Sequence, residues 1–239
     1  MQIKCFVPLF IMLVAGFVYS QELTGAQLLE NAIQYHDPSG NWKTFKGDFN
    51  ITMEIPEKAK RESHITIDLP QQYFSVKAKT NNNLSEYIID KDNITILFNG
   101  NKNPSKDILK THRLSKERAK LYQNYYTYLY GLPMKLKDTG TVIHNHVENK
   151  TFKGKTYWVL KVTYDEKIGK DTWYFYFNKT TYAMEIYQFY HDETKNDGEY
   201  ILLSEEETIK GIKMPKIRAW YINKDDTLLG TDILKPAEE

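Results

Sequence analysis

Cysteine is almost absent: Cys5 is the only one in 239 residues. It lies inside a short apolar run near the N-terminus, not at the end of that run, where an acylated cysteine would precede a mature lipoprotein. Beyond it the sequence has no disulfide, no thiol nucleophile and no thiolate metal ligand. Long apolar runs are also lacking. Cys5 to Val18 is about 14 residues, against the roughly 20 that a membrane-spanning helix needs. Neither sign of charge dominates, with 32 Lys and Arg against 31 Asp and Glu. That balance supplies no basic field for a phosphate backbone, so no nucleic-acid partner is expected. There is no Pro/Gly/Ser-rich linker, no phosphate-binding glycine loop, no EF-hand loop, no HExxH helix and no Gly-x-Ser-x-Gly elbow. The chain is expected to be a single domain without a cofactor or a metal, and not an enzyme.

What is present begins with Lys4, the apolar run, and Val18-Tyr19-Ser20 ahead of Gln21-Glu22. A charged residue, a short apolar core and small or neutral residues before a polar segment describe a removable secretory signal. The expectation is a signal peptide over 1–20 and a mature chain over 21–239. That chain would be periplasmic or secreted, not a lipoprotein, monomeric, and without a transmembrane segment after cleavage.

The mature part opens on a helix signal. Thr24 is a candidate N-cap, and Leu28, Leu29, Ala32, Ile33 and Tyr35 recur at helical spacing before His36-Asp37-Pro38-Ser39-Gly40 stops them. Strand signals follow over 45–55, 64–69, 73–78, 86–89 and 94–98, separated by Asn- and Asp-rich turns. Residues 109–136 lose the period of two. Ser115 can cap a helix over 116–130 with Ala119, Tyr122, Tyr126, Leu129 and Tyr130 on one face, ended by Gly131-Leu132-Pro133. Strands resume at 141–148. The densest aromatic signal follows, where Trp158, Leu160, Val162 and Tyr164 alternate with Tyr157, Val159, Lys161 and Thr163. Trp173-Tyr174-Phe175-Tyr176-Phe177 and 182–190 continue it. Both faces of these strands are apolar or aromatic, so both need a cover other than bulk water. With 199–209 and 215–222 the tally is about eleven strands, ahead of Gly230-Thr231-Asp232-Ile233-Leu234.

This order of elements resembles the periplasmic lipoprotein-carrier (LolA-like) fold. It is also similar to an uncharacterised family of exported proteins of Bacteroidota. The residues that carry the likeness are Tyr35-His36-Asp37-Pro38 with Trp42, Tyr128 to Pro133, Gly169 to Thr172, Tyr190 to Glu193, Gly211 to Lys216 and Gly230 to Leu234. The resemblance implies a mainly β (α+β) fold. One curved antiparallel sheet would form an incomplete barrel, with helices packed in its concave side. It also implies a lipid or other hydrophobic ligand, such as an acyl chain, carried in the cell envelope. Burying each CH₂ is worth about 0.8 kcal/mol, so such a carrier needs an apolar hollow and a cover. Trp158, Leu160, Val162, Tyr164, Trp173, Phe175 and Phe177 are the candidate lining, and Tyr122, Tyr126 and Leu129 the candidate lid. The alternative is an envelope scaffold or interaction module whose aromatic core is closed and takes no small ligand.

Smaller signals carry less. His144-Asn145-His146 puts two imidazoles at chelating spacing, but half-exposed strand histidines are the simpler reading. His36-Asp37 and His191-Asp192-Glu193 have no nucleophile beside them and read as element ends. The basic stretch from Lys102 to Lys120 reads as a solvated surface. Asp226-Thr227-Leu228 matches a bacterial O-glycosylation sequon, with Thr227 as the acceptor.

Overall fold

Short polar turns between alternating segments make successive strands pair antiparallel with their neighbours. The computed structural model describes residues 22–237, so the expected leader over 1–20 lies outside them. The first half holds helix α1 (Gly25–His36) and strands β1 (Lys46–Glu54), β2 (Arg61–Asp68), β3 (Tyr73–Thr80), β4 (Asn83–Asp90) and β5 (Asn93–Phe98). Helices α2 (Lys106–Thr111) and α3 (Lys116–Tyr130) interrupt the strands. The second half holds β6 (Thr141–Phe152), β7 (Lys155–Tyr164), β8 (Thr172–Asn178), β9 (Met184–Tyr190), β10 (Glu199–Ile209), β11 (Ile212–Ile222) and β12 (Leu228–Pro236). All twelve lie in one open, curved antiparallel sheet, ordered β5-β4-β3-β2-β1-β12-β11-β10-β9-β8-β7-β6.

The described residues hold twelve strands rather than about eleven. The addition is β12, which pairs on one side with β1, opposing Ile51 to Leu234, and on the other with β11, opposing Ile217 to Ile233. It therefore joins two meanders, one from each half of the chain. The hairpins at Lys153-Gly154 and Lys210-Gly211 each place two consecutive residues at positive φ. That is the two-residue turn whose twist matches antiparallel strands, and glycine takes the second position without strain.

Helix α1 starts as expected. The Thr24 hydroxyl accepts from the Gln27 N–H, and the Gln27 side chain accepts in return from the Thr24 N–H. Its first residue is pressed against β6: a Cβ at Gly25 would lie 2.0 Å from the His144 carbonyl oxygen. Helix α3 has the bounds that its cap and stop residues imply, while α2, a six-residue helix, has no counterpart in the sequence reading.

The main core lies on the helix side of the sheet. Phe49, Phe74, Leu160, Phe175, Phe177 and Tyr187 are fully buried there against Leu28 and Leu29 of α1 and Tyr126 and Tyr130 of α3. A second, smaller cluster covers the opposite face, formed by Tyr157, Val159, Tyr174, Tyr176 and Ile186 with Phe152 packed against them. Its cover is made of lysine stems and ammonium groups: Lys150 and Lys161 stand over Tyr174, and Lys155 over Tyr157. The two-faced aromatic strands thus find two different covers.

The His36-Asp37 pair is structural. His36 is completely buried, donates from Nδ1 to the Lys213 carbonyl at 2.7 Å, and accepts at Nε2 from the Met184 N–H at 2.9 Å. The ring ties α1 to β11 and β9 in one neutral tautomer. Asp37 accepts from the N–H groups of Asn41 and Trp42, which sets the short helical turn over 41–44. Burial pushes the His36 pKa below 6.5. The unfolded chain then binds a proton more readily than the folded one. The stability held by the neutral ring is complete above pH 6.5 and is lost as the pH falls from there through the folded pKa. Replacing His36 by alanine strands a buried carbonyl and a buried N–H and should cost about 3 kcal/mol at neutral pH. Thermal melts of the wild type and His36→Ala between neutral and mildly acidic pH should show that difference shrinking on acidification.

Candidate functional site

Helix α3 presents two faces to the sheet. Tyr122, Tyr126 and Tyr130 recur every four residues and point to the first meander, where Tyr130 packs on Phe49 at 4.8 Å and Tyr122 on Tyr87 at 5.4 Å between ring centroids. Leu121, Tyr125 and Tyr128 form the other flank and face the second meander across a cavity of about 630 Å³. That volume lies within the range of small-molecule sites. Tyr125 stacks on Trp220 at 6.2 Å, and Tyr128 meets the edge of Trp173 at 6.1 Å and shares a hydrogen bond with the Tyr164 hydroxyl. Phe189 stacks under Trp173 at 4.8 Å. The inner wall is therefore aromatic. Polar groups (Asn124, Lys135, Asp138, Thr139, Thr141 and Asp171) also line the cavity. Burial holds the Tyr125 and Tyr128 hydroxyls well above their usual pKa and pushes Tyr164 up to about 12. The phenols that line the cavity are accordingly neutral hydrogen-bonding groups at any physiological pH.

The structure divides the expected lining residues. Tyr164, Trp173 and Leu129 border the cavity. Leu160, Val162, Phe175 and Phe177 are fully buried in the core, and Trp158 is half-buried with Lys179 over its ring at 4.2 Å. Of the expected lid residues, Tyr126 is buried beneath α3 and Tyr122 is half-buried on the same flank, away from the cavity. Tyr125, Tyr128, Phe189 and Trp220 are cavity residues that sequence reasoning missed. For the first two the signal was available, since Leu121, Tyr125 and Tyr128 also recur at helical spacing.

Behind Tyr125 and Trp220 lies a buried charged row that no local pattern announced. Arg61, Met53, Asp232 and Arg218 oppose one another in register across β2, β1, β12 and β11. Arg218 is completely buried and donates to the Pro215 carbonyl at 2.8 Å and to the Leu129 carbonyl at 3.3 Å, with its guanidinium 3.9 Å from the Tyr130 ring centre. Leu129 lies in the last turn of α3, where unpaired carbonyls and the helix dipole favour a cation. Asp232 accepts from the Tyr125 hydroxyl at 3.1 Å. Burial raises its pKa, while Tyr125, Arg218 and Arg61 act in the opposite direction. The Arg61 guanidinium reaches the Tyr122 and Tyr126 hydroxyls. Within this cluster, Asp232 Oδ1, Arg218 Nε, Trp220 Nε1 and the Tyr130 and Tyr187 hydroxyls are buried without a hydrogen-bond partner.

The remaining signals take structural places. His144 bonds Thr163 through Nε2 at 3.1 Å, beside a break in the β6–β7 register between Ile143 and Val147. His191 pairs with Asp171 at 2.7 Å, which raises its pKa, and Asp192 caps the short turn over 193–195. Thr227 is exposed in the β11–β12 turn, and the neighbouring Asp226 carboxylate is held by Lys153 and Tyr200.

An open antiparallel sheet with helices on one face and a cavity beneath one of them defines a LolA-like architecture. The chain aligns with the structure of a LolA superfamily protein from Nitrosomonas europaea with a TM-score of 0.52 and 12% identity, over 90% of this chain and 94% of that one. A DUF1329 family protein from Desulfovibrio piger aligns with a TM-score of 0.48 and 11% identity, over 88% and 90% of the two chains. By sequence, the chain belongs to a family of unknown function, DUF6503, whose model matches residues 4–235. No curated protein matches the chain by sequence.

Arg218 is the group whose loss should be felt most widely. Arg218→Lys keeps the charge but loses the planar fork that reaches two carbonyls and the Tyr130 ring, and it should cost about 3 kcal/mol. Denaturant melts would measure it. A shift within a few tenths of a kcal/mol would show that the guanidinium is not what holds the end of α3.

Proposed function

We propose that this chain is an exported, non-enzymatic binding or carrier protein for a lipid or another hydrophobic ligand in the cell envelope. The observation that carries the reading is the aromatic-walled cavity of about 630 Å³ between α3 and the second meander, on the helix side of a LolA-like sheet. Its wall of aromatic rings and neutral phenols, with Lys135, Asp138 and Asp171 among the lining groups, suits an acyl chain with a polar end. The titratable pairs support a binder over a catalyst: His36 is a clasp between elements, and the Asp171 carboxylate at the cavity border is already engaged by the exposed His191. Among the described residues no helix is long and apolar enough to cross a membrane.

The scaffold reading draws on a different observation. Most of the sheet's helix-side face is already filled by Tyr126, Tyr130, Leu28 and Leu29. In that case the cavity is a dimple in a closed core.

A fluorescent fatty acid separates the two. The wild type should bind it, and Thr141→Trp, which grows a half-buried edge-strand side chain into the cavity, should weaken binding at least tenfold with little change in melting temperature. A wild type that does not bind, or a Thr141→Trp variant that binds equally well, would leave the scaffold reading in place.

Export is tested separately. Intact mass of protein from the envelope should place the mature N-terminus at or near Gln21, with no lipid attached. Glycan added at Thr227 would appear in the same spectrum. Retention of Cys5 would overturn the localisation.

A further inference from the structure

Two large apolar side chains stand exposed where the cavity meets solvent. Leu121 on α3 is 55% exposed and Ile168 in the β7–β8 loop is 58% exposed, and both also line the cavity. Leu121 belongs to a second feature as well. It also lines an open groove of about 790 Å³ between α2 and α3, bordered by Lys106, Lys110, Arg113, Glu117 and Arg118. One exposed leucine is thus common to groove and cavity.

The charge of this helical hairpin is one-sided. Between residues 102 and 121 there are seven Lys and Arg against Asp107 and Glu117. Among the described residues none of the seven makes an ion pair, whereas Lys135, Lys137, Lys153, Lys155 and Lys216 elsewhere on the surface all do. The Ile168 side is near balance. Lys167 and Lys170 face Asp165 and Glu166 in sequence, and Asp171 is engaged by His191. Any electrostatic attraction therefore comes from the hairpin, and the apolar contact from both sides of the opening.

We infer that the opening of the cavity docks onto an anionic phospholipid bilayer. The hairpin cations would meet the headgroups, while Leu121 and Ile168 enter the interface. Unpaired cations favour an anionic surface, each raising partitioning roughly fivefold. Isolated apolar tips ringed by long basic side chains suit a bilayer interface, where the stems bury and the charges stay with the headgroups. A protein partner would instead call for a contiguous apolar patch. Leu121 borders both groove and cavity, so docking there would bring the bilayer beside the cavity that the proposed function assigns to an acyl chain. Docking does not require that the cavity be filled, so its test is independent of the fatty-acid assay.

The test is co-sedimentation of the mature chain, residues 21–239, with vesicles. Mixed phosphatidylglycerol–phosphatidylcholine vesicles should retain the protein, less so at high salt, and phosphatidylcholine vesicles should not. Lys106→Gln/Lys110→Gln/Arg113→Gln should lower partitioning on the order of a hundredfold. Melting temperature and fatty-acid binding in vesicle-free solution should be unchanged. Leu121→Ser/Ile168→Ser should lower partitioning roughly tenfold with the charges intact. Equal binding to neutral and anionic vesicles, absence of binding to either, or a charge variant that partitions like the wild type would each overturn the inference.

Discussion

The buried guanidinium of Arg218 is the constraint on which the helix side of this molecule depends. A strand residue would ordinarily leave such a charge in water, and desolvating it costs several kcal/mol unless its donors find acceptors. Here they find the Pro215 carbonyl and the C-terminal turn of α3, with the face of Tyr130 beneath. The charge therefore fixes where α3 ends. Because α3 is a rigid rod, fixing its end also fixes where Leu121, Tyr125 and Tyr128 stand. α3 is held at the first meander by its tyrosines and over the second by the Tyr125–Trp220 and Tyr128–Trp173 contacts, the Tyr128–Tyr164 hydrogen bond and Arg218 at its last turn, and the cavity lies between these points of contact.

Those contacts differ in kind from the rest of the core. Phe49 and Tyr130, or Phe74 and Tyr126, are sealed within a continuous apolar cluster. The rings around the cavity each keep one side against open space, so they contribute less to cohesion and leave room for an occupant. The same helix thus acts as core on one flank and as wall on the other.

Much of the architecture could be read from the sequence because its signals were local. Thr24 and Ser115 as caps, Gly131-Leu132-Pro133 as a stop, and the alternation through Trp158 and Phe175 each depend on a few neighbouring residues. Helix α2 escaped notice because six residues are too few to show a helical period. The cavity was only half visible. Periodicity says which residues share a face but not what covers that face, so Leu160 looks the same as Trp173 until the helices are in place, α1 packed on β7 beside Leu160 and Trp173 left at the cavity. The row of Arg61, Asp232 and Arg218 was hidden for a stronger reason: it exists only through the register of β12 against β1, between opposite ends of the chain.

That register has a consequence for the order in which the molecule can be built. β12 is made after the other eleven strands, yet it occupies the middle of the sheet, between β1 and β11. Until residues 228–236 have been delivered, each meander can form its local hairpins but must hold an unpaired inner edge, and Arg218 faces no carboxylate on the neighbouring strand. Long-range pairing of this kind is slow to form because chain entropy is lost before any contact is gained. Synthesis therefore supplies the keystone last, and a chain cut short there would be left as two half-sheets.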